Sequence, residues 1–212
     1  NLVPEELDMG NAIQKQMLLY SILCNDSTNE GGQEIGDPTE IALINVVERF
    51  DFSVKEIRDK YPRVGELPFD SDRKLMTTVI KDNNKYIAIT KGALDRVLNL
   101  SIDDDSIKNK ALEANNYMAS NALRVLALGI KEFDEMPLEK ELEYDMKFMG
   151  LVGMIDPARK EVKESIRIAK SAGIKTVMNT GDHIITAKAI AKELGILNES
   201  DNNISSNNLK VP

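Results

Sequence analysis

Phe148-Met149-Gly150-Leu151-Val152-Gly153-Met154-Ile155-Asp156-Pro157 is the stretch on which the reading of the fold turns. From Phe148 to Ile155 it is an unbroken apolar run, the pattern expected of a strand buried on both faces. Asp156 and Pro157 then suit the N-cap and first turn of a helix. Val162, Ile166 and Ala169 recur on one face of that helix, and Gly173 closes it. Ile174-Lys175-Thr176-Val177-Met178-Asn179 reads as a second strand, which stops at Thr180-Gly181-Asp182 before a further helix from Ile184 to Leu194. Strand, helix, strand and helix make a βαβα unit with a parallel sheet. At its turn, Gly181 permits a tight bend, so backbone N–H groups and the positive helix end face whatever sits above the sheet. Such a place suits an anion, a phosphoryl group above all.

Upstream of this run the periodicities differ. Apolar residues recur at helical spacing from Ala12 to Leu23, and a Gly/Asn/Ser-rich loop leads to a second helix from Pro38 to about Phe50. Asp37 at N-cap, Pro38 at N1 and Glu40 at N3 give that helix an entry close to a capping box. Leu75 to Ile80 and Tyr86 to Thr90 are β-rich and joined by Lys81-Asp82-Asn83-Asn84-Lys85, which predicts a hairpin. Ala93 to Leu98 and Ser106 to Asn121 follow as helices, and Leu123 to Ile130 returns as a strand. The expected architecture therefore divides near Ile155. Residues 1–155 form an α+β domain, an antiparallel sheet flanked by helices, and residues 156–212 an α/β Rossmann-like fragment. Two parallel strands cannot cover both faces of a sheet, so further strands are expected elsewhere in a longer parent.

Composition narrows the function classes. The formal net charge of −8 over 212 residues lacks the basic stripe that nucleic-acid binding needs, so phosphate would be gripped by a few placed cations. The single cysteine, Cys24, lies among Leu18, Leu19, Ile22 and Leu23 and reads as a small buried hydrophobe in a reducing compartment. No run of about 18 apolar residues is present, and the N-terminus is not a signal peptide. A start without methionine and a polar end from Glu199 to Asn208 read as those of a piece of a longer protein, expected to be monomeric. The one histidine, His183, excludes a histidine metal cluster or triad. The nine methionines are scattered and read as core filler.

Six motifs then occur in order: Gly36-Asp37-Pro38-Thr39-Glu40, Pro68-Phe69-Asp70-Ser71-Asp72-Arg73-Lys74-Leu75-Met76, Lys91-Gly92-Ala93, Leu123-Arg124-Val125-Leu126-Ala127, Gly153-Met154-Ile155-Asp156-Pro157-Ala158-Arg159 and Thr180-Gly181-Asp182. Together, over nearly the whole chain, they resemble the P-type cation-transporting ATPases, most closely the calcium-pump branch. The resemblance implies a nucleotide-binding domain over residues 1–155 and, over 156–212, part of a phosphorylation domain of haloacid-dehalogenase type. It also implies ATP as ligand and, in a parent protein integral to a membrane, Mg²⁺ and an aspartyl-phosphate intermediate. The actuator, transmembrane and remaining phosphorylation domains of that parent would be its partners, with this portion on the cytoplasmic side. The family's Asp-Lys-Thr-Gly-Thr signature, which carries the phosphorylated aspartate, is absent from the sequence, as is its Gly-Asp-Gly-x-Asn-Asp magnesium motif. Asn179 stands where the family usually has an aliphatic residue.

By this resemblance Phe69 stacks on adenine, a contact that contributes about 1–3 kcal/mol in nucleic-acid systems; the ordinary alternative is a core phenylalanine. Lys91, at a strand end beside the flexible, uncrowded backbone expected of Gly92-Ala93, suits a phosphate or the wall of the adenine pocket, or else is a solvated lysine. Glu40 either accepts from the adenine amino group or caps its own helix. Arg124 can reach a phosphate bidentately or pair at a strand edge. Arg73, with Lys74 beside it, faces the triphosphate or pairs with Asp70 or Asp72. Asp156 and Arg159 belong to a hinge at the interdomain site, where Asp156 also serves as a plain N-cap. The resemblance has Thr180 donate to the transferred phosphoryl group, Gly181 allow close approach, and Asp182 lie near the nucleotide and magnesium; by themselves the three make a turn with a helix cap.

The expected function is ATP binding without turnover, in a chain whose parent pumps a cation, Ca²⁺ on the wording of the first two motifs. Two rivals stand beside it. A soluble phosphatase of haloacid-dehalogenase type would need an Asp-x-Asp nucleophile after an apolar strand, whereas Asp70-Ser71-Asp72 follows Pro68-Phe69. A non-catalytic nucleotide-sensing module would bind without needing any parent segment.

Overall fold

The computed structural model describes residues 8–154, 160–180 and 184–197. The chain divides into two compact units, one of residues 1–112 and 125–154 and the other of residues 113–124 and 155–212.

The first unit is built on a five-stranded sheet in the order β3-β4-β5-β6-β7: Arg63–Asp70, Leu75–Asp82, Lys85–Gly92, Arg124–Phe133 and Lys147–Met154. The pairs β3–β4, β4–β5 and β5–β6 are antiparallel. The predicted hairpin is β4–β5. Its register is unbroken from Leu75↔Gly92 to Asp82↔Lys85, and Asn83 turns it with φ +53°, a conformation that asparagine tolerates.

The strands buried on both faces are the central pair β4 and β5, with Ile87 to Gly92 of β5 all buried, and not the run that begins at Phe148. Leu75 to Ile80 are all buried, Leu75 against Leu94 and Val97, and Met76 and Ile80 against Tyr20 and Leu23. Strand β7 is half-buried along most of its length, because it lies at the end of the sheet with one strand neighbour. An apolar run reports burial averaged over its surroundings. It cannot distinguish a central strand from an edge strand tucked under helices.

Helices cover both faces. On one lie α1 (Ala12–Leu23), α2 (Pro38–Glu48) and α3 (Val54–Lys60), joined through Leu18, Ile22, Leu43, Ile44 and Val47. On the other, α4 (Leu94–Asn99) and the first part of α5 (Asp105–Ser120) enclose Leu75, Ala127 and Met146. The loop expected to be irregular holds a short hairpin of β1 (Thr28–Glu30) and β2 (Gln33–Ile35), and α3 is a further element that the sequence reading lacks.

In the second unit, α6 (Lys160–Ser171) buries Ile166 and half-buries Val162 and Ala169, the face expected of it. Gly173, at φ +78°, closes it with an Ile174 N–H to Ala169 O bond of 2.9 Å. Helix α7 spans Ile184–Glu193, and Lys170 Nζ donates to Ile196 O beyond its end at 3.1 Å. Residues 174–179, expected as a strand, are not one. Among the described residues no strand forms a ladder with them, and Val177 is 76% exposed. Without a ladder partner a β-branched segment gains little from extension. Among the described residues, the helices of the expected Rossmann-like fragment are therefore present and its parallel sheet is not.

Candidate functional site

The motif Gly36-Asp37-Pro38-Thr39-Glu40 is the entry to α2, and each residue type has a mechanical reason. Asp37 is N-cap, its side chain accepting from the Thr39 N–H at 2.8 Å, and Pro38 occupies the first turn. Gly36 has φ +131°, and a Cβ there would lie 2.0 Å from Ser27 Oγ, so only glycine lets this turn cross the Asn25–Ser27 segment. Glu40 reaches across to that same segment. Its Oε2 accepts from the N–H of Asp26 (2.9 Å), the N–H of Ser27 (3.1 Å) and Ser27 Oγ (3.1 Å). Asn25 Nδ2 donates to the Glu40 carbonyl at 2.9 Å. Local capping therefore does not account for Glu40, whose carboxylate is gathered into a site.

The other half of that site is Lys91. It points from β5 between Met76 on β4 and Leu128 on β6, both buried, and meets Glu40 Oε1 at 2.6 Å. The two side chains are 6% and 14% exposed, so this is a desolvated ion pair and not a solvated lysine. The sequence presents Lys91 and Glu40 as separate ligands, and the structure brings them together. Gly92, expected to give an uncrowded backbone, does the reverse. A Cβ there would stand 2.2 Å from Lys74 O, and the Ala93 N–H bonds that same carbonyl at 3.1 Å. Glycine is needed because the β4 turn presses on the strand.

Phe69 is the next-to-last residue of β3, on its turn side. At 64% exposed it is not a core residue. Leu67 pairs with Thr77 and Asp70 with Leu75, so β3 carries one extra residue here, a bulge of the kind that re-aims side chains. Phe69 thus stands at the height of Met76, whose partner across the next gap is Lys91, two strand spacings or about 10 Å away. An exposed ring, a carboxylate and an ammonium share one end of the sheet.

Arg73 faces inward to the protein. Its Nη2 donates to Pro68 O (2.6 Å) and Leu75 O (3.2 Å), and its Nε lies 3.1 Å from Glu143 Oε2. Its N–H, with that of Asp72, donates to Asp70 Oδ1 at 2.7 and 3.0 Å. Glu143 is buried and takes the Thr77 hydroxyl on Oε1 at 2.8 Å, while Thr77 and Thr90 share a 2.9 Å bond between hydroxyls. Sequence reasoning misses Glu143 altogether: nothing in Glu139-Lys140-Glu141-Leu142-Glu143 separates the one buried carboxylate from its exposed neighbours. The only available signal is threonine at the paired positions 77 and 90 of two otherwise apolar strands.

The remaining expected residues fall elsewhere. Arg124 opens β6, is exposed and has a partner of its own. Thr180 is exposed at the end of the irregular segment and is likewise engaged. Asp156, Arg159, Gly181, Asp182 and His183 lie outside the described residues. Cys24 is buried as expected, its thiol pushed up by desolvation, and it bonds Met76 O at 3.6 Å. A cavity of about 210 Å³ lies beyond the Asn25–Ser27 segment, lined by Leu23, Asn25, Asp26, Arg58, Tyr61 and Arg63 among others, and none of the expected site residues borders it. Among the described residues no group of three histidine, cysteine or acidic side chains can hold a metal ion, and no helix is long and apolar enough to cross a membrane.

Chemically, the site offers a ring face, a carboxylate acceptor and an ammonium donor. Adenine presents a flat π-face, which the exposed ring of Phe69 can receive, while the ammonium and carboxylate beside it are buried and paired with each other. The site does not supply the oxygen-rich ligand set that magnesium takes.

The family model for the cytoplasmic domain N of P-type ATPases matches residues 14–161. A calcium-transporting ATPase 1 of Bacillus cereus is 43% identical over 203 residues, covering 91% of this chain and 23% of that protein. A probable cation-transporting P-type ATPase of Mycoplasma pneumoniae is 43% identical over 196 residues (90% and 22%). The sodium/potassium-transporting ATPase subunit alpha-3 of Gallus gallus is 34% identical over 215 residues (86% and 21%). The chain thus spans about a quarter of the length of the curated relatives it matches.

Proposed function

Because the chain belongs to the P-type ATPase family, we propose that it binds ATP through the end of the sheet that carries Phe69, Lys91 and Glu40, the adenine stacking on Phe69. The observation that carries this reading is the buried Lys91–Glu40 pair at 2.6 Å, set in the same row as an aromatic ring left 64% exposed. An isolated buried ion pair is a poor device for stability, and an exposed phenylalanine is a poor one for solubility. Their juxtaposition makes sense as a place where a flat base with mixed edge polarity docks.

In this reading residues 1–155 are a nucleotide-binding domain and 156–212 part of a phosphorylation domain. Within the parent, the bound nucleotide presents its γ-phosphate to an aspartate outside this sequence, and the parent, a membrane protein, moves a cation. Calcium is the choice favoured by the names of relatives such as that of Bacillus cereus. Phosphoryl transfer depends on alignment and charge neutralisation, so the contribution of these residues is orientation. Magnesium in the parent would neutralise phosphate charge. The roles of Arg124, Asp156, Arg159, Thr180, Gly181 and Asp182 rest on the family resemblance alone. The protein acceptors on Arg73 favour a bracing role for it over that of a phosphate ligand.

The test is an ATP titration followed by amide NMR on the chain, on Phe69→Ala and on Lys91→Ala. ATP should move amides around Glu40, Phe69 and Lys91, and both variants should bind more weakly. Amides unmoved at millimolar ATP, or a variant that binds as well as the unaltered chain, would overturn the assignment. The chain should release no phosphate from ATP or from a generic phosphoester, since the phosphorylated aspartate's motif is absent.

A further inference from the structure

We propose that Glu143 is a positioning residue for the adenine site: by gripping Arg73 it holds the Pro68–Asp70 corner, and with it Phe69, in the pose that receives the base. The inference rests on the ATP-binding reading above and goes beyond it in naming what shapes the site.

A ring that is 64% exposed is not held by core packing, so its direction must be set through its backbone. That backbone lies in a stretch where the β3–β4 ladder is irregular, between Leu67 and Asp70. The Arg73 guanidinium supplies a donor there, bonding at 2.6 Å the carbonyl of Pro68, the peptide unit that continues directly into Phe69. A second bond from the same Nη2 to Leu75 O ties the corner to the start of β4. Asp70 completes the turn by accepting from the N–H groups of Asp72 and Arg73.

The guanidinium is planar and rigid, so whatever fixes its Nε edge fixes the direction of Nη2. Glu143 Oε2 stands 3.1 Å from that Nε as an ion-pair contact without an aligned hydrogen bond, and the other oxygen is held by the Thr77 hydroxyl, itself bonded to Thr90 next to Lys91. Glu143 is 10% exposed in its side chain, so its charge stays compensated only while Arg73 remains in place. One buried carboxylate therefore links the corner bearing the ring to the strands that carry Lys91. Site residues held by such supporting contacts keep their geometry, and small misplacements cost large factors in binding or rate.

ATP and adenosine are titrated separately into the chain, Glu143→Gln, Arg73→Lys and the double variant, with thermal unfolding recorded for each. Arg73→Lys keeps the charge, cannot fork, and is the safer variant for folding. Each single variant should weaken both ligands about fivefold, and the double variant should be no worse than either single. Removing a negative charge would by itself favour ATP and leave adenosine untouched, so a parallel loss for both ligands identifies positioning. The inference is overturned if the folded variants bind both ligands as the unaltered chain does, if only ATP responds, or if the two losses add. Should Phe69→Ala bind adenosine undiminished, the ATP-site reading fails first. If Phe69→Ala weakens binding and neither Glu143→Gln nor Arg73→Lys does, the positioning role alone fails.

Discussion

Lys85 and Lys91 stand near opposite ends of strand β5, each with a glutamate oxygen within 3.0 Å of its ammonium. At the hairpin end, Lys85 and Glu132 are 57% and 55% exposed and meet diagonally across two strands; at the other end, Lys91 and Glu40 are 6% and 14% exposed and come from different layers of the fold. The same pair of residue types makes a weak surface contact in one place and a dehydrated dipole in the other. Water accounts for the difference: exposed pairs contribute about 0–1 kcal/mol because solvent screens them, whereas an unpaired charge at the buried end has no such screening. The proposed adenine site lies at the buried end, where glycine, bulge and caps also crowd together.

The sharpest way to break this comparison is Lys91→Met. Glu40 keeps three donors from Asp26 and Ser27 yet loses the cation it meets at 2.6 Å. Stability should fall by about 3 kcal/mol in urea denaturation, the low end for breaking a buried pair. Adding Glu40→Gln should restore part of the loss; a double variant weaker than Lys91→Met would show that the carboxylate serves the fold without its partner. Gly92→Ala comes next, at about 2 kcal/mol, because its Cβ would meet a backbone carbonyl at 2.2 Å that no rotamer change relieves. A neutral Gly92→Ala would mean that the β4 turn is slack, and the tight end of β5 would lose its distinction from the loose one.

Much of this arrangement is legible in the sequence, and the failures have physical causes. Helix α1 and the entry to α2 are readable because capping and 3.6-residue periodicity are local. The β4–β5 hairpin is readable because its turn residues and strand composition agree. Resemblance singles out Lys91, Glu40 and Phe69 but not their geometry, since a buried ion pair between α2 and β5 joins residues far apart in sequence. Gly92 draws notice for freedom and matters for crowding. The run that begins at Phe148 misleads because edge and centre of a sheet leave similar apolar signatures, and β4 escapes notice as one of the two doubly buried strands because Thr77 and Thr78 interrupt its hydrophobicity. Ile174 to Asn179 has strand-forming residues and, among the described residues, no ladder; no property of the segment itself reveals whether a partner exists.

A smaller effect belongs to the support of the buried end. Asp37→Ala removes the side-chain acceptor for the Thr39 N–H at the start of α2 and should cost about 1 kcal/mol. Because α2 carries Glu40, the same variant should also weaken ATP slightly in the titration. A loss of stability with no change in binding would show that Glu40 is placed by the Asn25–Ser27 segment and not by its own helix.

The smallest effect should come from the exposed end, and it tests the comparison most directly. Lys85→Ala and Glu132→Gln should leave the urea midpoint within error and insensitive to salt. The hydrogen bond to Glu132 raises the Lys85 ammonium above the usual lysine value. A group whose folded value is raised contributes stability that is fully present below its unfolded value and lost as pH rises through the folded one, so any contribution would fade only above about pH 10.4. Between neutral pH and that point the two variants and the unaltered chain should run parallel. A loss at pH 7 comparable with that of Asp37→Ala would mean that proximity to a glutamate matters more than dehydration, and Lys91 would then owe its special standing to something other than where β5 ends.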